Sequence, residues 1–114
     1  MESLNALEHS ILKRVSEKHP TIKSHIPFLR ILNREYTGEG MYVNFIYSDE
    51  GKSLNPIEPL SDTLSTNERI ELPGLKFGLC FVIDITDGKI NFIELVTYGE
   101  DWDGSILNFS INDI

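Results

Sequence analysis

Leu4, Leu7, Ile11, Leu12 and Val15 recur at i, i+3, i+7, i+8 and i+11, an apolar stripe at helical period. The opposite side carries Glu2, Lys13, Glu17 and Lys18, so the pattern predicts an amphipathic helix. Ser3 is placed to cap it, although Ala6 stands where a capping box needs Glu. His19-Pro20 ends it, because the residue before proline avoids the α region. Pro20 opens one further turn, with Ile22 and Ile26 stacked, and Pro27 closes it.

From Phe28 the period becomes strand-like. Met41, Val43, Phe45 and Tyr47 fall on one face, with Tyr42, Asn44, Ile46 and Ser48 on the other. The glycines of Thr37-Gly38-Glu39-Gly40 permit the positive φ of a tight reversal. A hairpin of residues 30–37 with 41–48 is the expectation. Residues 49–67 read as a long Pro/Ser/Asn/Asp loop with a short pairing segment, and loops of that length are often functional. Residues 68–74 make a short strand ended by Pro73-Gly74.

The strongest local signal is Thr86-Asp87-Gly88 between two apolar runs, the leading mark of a second hairpin. Phe77, Leu79, Phe81 and Ile83 share one face of the first run and Cys80 and Val82 the other, as in a central strand covered by the helix on one side. Strict alternation along the second run puts Ile90, Phe92, Glu94 and Val96 together. Residues 105–111 form a last, exposed edge strand, open to self-association. The sum is one α+β domain over residues 1–114: an antiparallel sheet of four to six strands from two hairpins, with the amphipathic helix on one face.

Composition narrows the class. The 114 residues are 40% apolar, enough for one core and too few for two domains. A single cysteine, Cys80, excludes an internal disulfide and reads as a buried structural thiol. Nothing approaches 18 consecutive apolar residues, and charges interrupt any leader-like run at the start, so a soluble cytoplasmic protein is expected. Charge is divided unevenly: residues 1–34 carry six bases and three acids, residues 35–114 four bases and fifteen acids. A body at −11 repels phosphate backbones and anionic lipid, which disfavours nucleic-acid and membrane binding and steers toward a basic protein partner.

Catalytic templates fail. No GxGxxG, P-loop, GxSxG or HExxH occurs, and the glycines at 38 and 40 precede a strand where a phosphate cradle needs a helix. His9, His19 and His25 all lie in the first quarter with no carboxylate set to complete a metal site. Asp101-Trp102-Asp103-Gly104 begins like a calcium loop but lacks its later ligands, and reads as a turn. No metal or cofactor is expected.

Two features remain. Glu94 lies between Phe92 and Val96 on a face that reads as buried, which implies either a local bulge or an ion pair with Arg34 or Arg30. With Arg34 and Tyr36 it is also the candidate acid or base of a ligand-binding or catalytic cleft between helix and sheet. The other is Tyr98, Glu100, Asp101, Trp102 and Asp103, an aromatic-acid loop suited to a basic protein surface. Trp102 itself either anchors that interface or folds back to cap the core.

Arg34-Glu35-Tyr36-Thr37-Gly38-Glu39-Gly40, Gly78-Leu79-Cys80-Phe81, Asp87-Gly88 and the stretch Glu94 to Tyr98 together resemble the pattern of a group of small bacterial α+β proteins, some of toxin-immunity type. The resemblance spans most of the chain except residues 49–67. It implies an α+β fold and a non-enzymatic, immunity- or antitoxin-like role, and it carries no catalytic chemistry.

Overall fold

The computed structural model describes residues 2–114. Helix α1 (Ala6–Lys18) is followed by two single 3-10 turns, at Pro20–Ile22 and Ile26–Phe28. Seven strands then build one antiparallel sheet: β1 (Leu29–Tyr36), β2 (Gly40–Tyr47), β3 (Asp62–Leu64), β4 (Glu68–Glu71), β5 (Leu79–Thr86), β6 (Lys89–Thr97) and β7 (Ser110–Asp113). Their order is β1-β2-β6-β5-β4-β7, and off this path β3 pairs with β5. The fold is α+β and mostly sheet, with the β5–β6 hairpin at its centre and the β1–β2 hairpin forming one edge.

Asp87 and Gly88 both take positive φ (53° and 72°), which a two-residue type I′ turn requires. Gly40 has a different reason to be glycine: a Cβ there would collide with the Leu95 carbonyl of β6. Residues 49–67 hold a 3-10 turn (Asp49–Ser53) and β3, and are tied down by hydrogen bonds from Ile57 N–H to Gly88 and from Gly88 N–H to Leu60. The expected edge strand at 105–111 is displaced. Pairing with β4 begins only at Ser110, and Trp102 and Ser105 organise the chain before it.

Two bulges decide which side chains face the helix. In β1 the register shifts between Ile31 and Asn33, leaving Leu32 unpaired. Leu29 and Ile31 point into the core, and beyond the bulge Arg34 and Tyr36 take that side in their place. In β6 the shift near Ile85 lets Ile90 join Ile93 and Leu95 in the core. Phe92, Glu94 and Val96 therefore turn to the far side, away from Ile90. Of the two explanations for Glu94, the structure has the bulge.

The core lies between α1 and one sheet face: Leu7, Ile11, Leu12 and Val15 meet Val43, Leu79, Phe81, Ile83 and Ile93, all essentially inaccessible. Its other closure is polar. His25, buried, lies 2.8 Å from the Tyr47 hydroxyl through Nδ1 and 2.8 Å from the Asn55 carbonyl through Nε2. A carbonyl can only accept, so in the neutral imidazole Nε2–H donates and Nδ1 accepts the Tyr47 proton. Tyr47 oxygen in turn accepts Ile90 N–H at 2.8 Å. Burial pushes the Tyr47 phenol up to about 12, opposed by that N–H.

Glu8 fixes the helix on the sheet. Asn5 caps α1, accepting Glu8 N–H at 2.9 Å while Glu8 Oε1 accepts Asn5 N–H at 2.8 Å, a complete capping box in place of the expected Ser3 cap. The same carboxylate, 1% exposed, receives both arms of Arg34 at 2.8 and 2.9 Å. Glu2 takes the third, and Glu2 C=O accepts Ile31 N–H of β1. At the other end of α1, Arg14 pairs with Glu68 of β4.

Arg34→Met strands a buried carboxylate, and with Arg34 a quarter exposed the expected loss is about 3 kcal/mol, the low end for a broken buried pair. Glu8→Gln with Arg34→Met removes the stranded charge and keeps the cap, so urea denaturation should show the double variant more stable than Arg34→Met alone.

Candidate functional site

At one end of the sheet the β1–β2 turn, residues 72–78 and residues 98–106 meet. A cleft of about 360 Å³ opens there, lined by Tyr36, Pro73, Leu75, Asp101, Trp102, Asp103 and Ser105. Tyr36 (52% exposed), Phe77 (48%) and Tyr98 (46%) are large aromatic side chains left open to solvent at this end. The β1 bulge is what sends Tyr36 here: it carries Tyr36 to the helix side, at the strand end.

The aromatic-acid loop divides its roles. The Trp102 ring is 5% exposed and caps the core, so it is not a surface anchor. Its indole N–H donates to Ser105 C=O at 3.1 Å, and its backbone N–H donates to Gly38 C=O at 3.0 Å. Glu100 accepts Lys76 N–H and Phe77 N–H at 2.8 and 2.9 Å, one on each oxygen, strapping this loop to residues 72–78. Those two N–H groups, Phe77 first, hold its carboxyl below the ordinary value of 4.5. Asp103 is likewise lowered, by its hydrogen bonding to Ser105. Tyr98, Asp101 and Asp103 remain exposed. Lys76 lies 5.3 Å from the centre of the Phe77 ring.

Arg34, Tyr36 and Glu94 are not brought together. Arg34 is bound to Glu8 and Glu2 on the helix side, Tyr36 is at the cleft, and Glu94 is on the far side of the sheet. The expected pairing of Glu94 with Arg34 or Arg30 is therefore replaced: Arg30 donates to the Pro27 and Leu29 carbonyls. Beside Glu94, the Tyr42 phenol is raised above its ordinary value, chiefly by that carboxylate. Cys80 shares this half-exposed side and is not the buried thiol expected; partial burial and then Glu94 push it up.

His9 is exposed on α1 and His19 ends the helix. Among the described residues no group of three His, Cys, Asp or Glu is placed to hold a metal ion, and no helix is long and apolar enough to cross a membrane. Sequence reasoning missed Glu8, although Asn5-x-x-Glu8 is a legible capping signature. It also missed the His25–Tyr47 contact, which no local pattern announces.

Compared with protein-family models, with curated proteins and with solved structures, the chain matches none.

Trp102→Ala should cost about 3–5 kcal/mol and lower the melting temperature by about 10 °C or more, as an aromatic lost from a packed site does. Because the Glu100 and Asp103 carboxyls are depressed in the folded state, their contribution is complete above the ordinary value of 4.5 for Glu and is lost as pH falls below it. Fluorescence of the single tryptophan, followed down the acid limb, should report loosening that is weaker in Glu100→Gln.

Proposed function

We propose that this chain is a non-enzymatic, cytoplasmic protein-interaction domain of immunity or antitoxin type, as in bacteria, and that it masks a basic protein partner. The observation that carries the reading is the cleft end, where Tyr36, Phe77 and Tyr98 stand exposed around Asp101 and Asp103. Aromatic anchors dominate interface energetics, and acids around them select a cationic counterpart while speeding encounter. The loop that bears them is already held by Trp102 and Glu100, so little ordering opposes binding. The acidic bias of residues 35–114 acts in the same direction at longer range.

Glu100 and Trp102 serve this surface from beneath, as positioning residues. The alternative, a cleft enzyme built on Glu94, Arg34 and Tyr36, has no geometry in its favour, since the three point to different places.

The immobilised chain, incubated with lysate of the cells that make it, should retain a protein of high isoelectric point at low ionic strength and release it as salt rises. Asp101→Lys combined with Asp103→Asn, which keeps the side-chain oxygen that accepts Ser105 N–H, should weaken that retention by about tenfold or more, roughly 1.4 kcal/mol, at a nearly unchanged melting temperature. Equal retention by the variant, or failure to retain any basic protein, contradicts the reading.

A further inference from the structure

The sheet has two faces and one helix. Its far face, on the three central strands, is a small grid set by the register. Asn44, Phe92 and Asp84 form one row, Tyr42, Glu94 and Val82 the next, and Gly40, Val96 and Cys80 the third. Gly40 is buried, the side chains at the other eight positions are partly exposed, and none of the apolar ones packs against the core.

A solvated antiparallel face is ordinarily polar. This one is apolar around a central acid. Glu94 has Phe92 and Val96 along its own strand and Tyr42 and Val82 on either side, and Tyr42 meets Phe92 edge-on at 5.3 Å. Among the described residues no ion pair reaches Glu94. Four bases are engaged elsewhere: Arg34 with Glu8, Arg14 with Glu68, Arg69 with Glu71, Lys52 with Asp49. Asp84, in the Phe92 row, and Glu35, opposite Tyr42 on β1, add two further carboxylates at the border.

We propose that this open face is a docking surface for a protein segment that sets a lysine or arginine on Glu94 and lays aliphatic side chains on Tyr42, Phe92 and Val82. Charge complementarity selects that occupant. A second copy of the chain would bring Glu94 toward Glu94 in a molecule of net charge −8, and an anionic lipid surface or nucleic acid meets the same repulsion. A cation here pairs with a carboxylate partly shielded from water, where the attraction exceeds that of a freely exposed pair. The grid covers about 300 Å², below a standard interface, so it forms part of a larger one. Tyr98, which continues the alternation of Phe92, Glu94 and Val96 past the end of β6, links it to the cleft end. The inference rests on the reading that the partner is basic and adds a separate surface to it.

Cys80 is the reporter, being the only cysteine and lying on the grid. A short synthetic peptide of alternating lysine and leucine should slow Cys80 alkylation about fivefold or more at low salt, with the effect fading as salt rises. The matching glutamate–leucine peptide should leave the rate unchanged. Glu94→Gln should weaken the lysine peptide about tenfold, whereas Asp101→Asn with Asp103→Asn should not. Melting curves confirm that each variant is folded, and Glu94→Ala serves as the second variant should the glutamine fail to fold. No protection by the lysine peptide, equal protection by both peptides, or protection indifferent to Glu94 overturns the sheet-face proposal. The cleft-end reading stands or falls separately, on the Asp101 and Asp103 retention assay.

Discussion

A single carboxylate settles how the helix lies on the sheet. Glu8 completes the cap of α1 and at the same time takes both arms of Arg34 from β1, so helix start and sheet edge are joined through one buried group. Arg14 with Glu68 repeats the connection near the far edge. The apolar stripe supplies the driving force of burial, which is non-directional; the ion pairs give it an orientation. With only one helix available, that choice leaves the other face of the sheet uncovered. The distinction between a filled core side and an acidic, half-apolar open side follows from it.

The bulges make the two sides chemically distinct. Without the irregularity in β1, strict alternation would put Asn33 and Glu35 over the core and Arg34 and Tyr36 on the open side. Without the one in β6, Ile90 would leave the core or Glu94 would enter it. Each bulge lets one strand change its parity partway along, so that Arg34 meets Glu8 while Glu94 keeps contact with water.

Much of this was legible in the sequence. The helical stripe, the Pro20 stop, the glycine-marked hairpin and the Asp87-Gly88 turn each rest on local backbone preferences, and each stands within a residue or two of its expected place. Short-range rules do not count bulges, so the grouping of Ile90 with Phe92, Glu94 and Val96 failed. Glu94 with Arg34 was the casualty. Pairing of the last strand was misplaced for another reason: residues 105–109 have strand-like side chains, but the Trp102 turn takes up their length. The candidate loop is a loop at the sheet end, and the division of labour inside it, with Glu100 and Trp102 facing the fold and Tyr98, Asp101 and Asp103 facing solvent, depends on the distant partners Gly38, Lys76 and Phe77.

The central claim is that the sheet is covered on one side only, with an apolar, acid-centred face open on the other. Hydroxyl-radical footprinting of the isolated chain tests it most directly, because it reads side-chain exposure residue by residue. The account predicts intermediate oxidation of Tyr42 and Phe92, slower than that of Tyr36 and Tyr98 and well above that of the protected Phe81 and Trp102. Protection of Tyr42 and Phe92 to the level of Phe81 would show that the face is covered, and would contradict it.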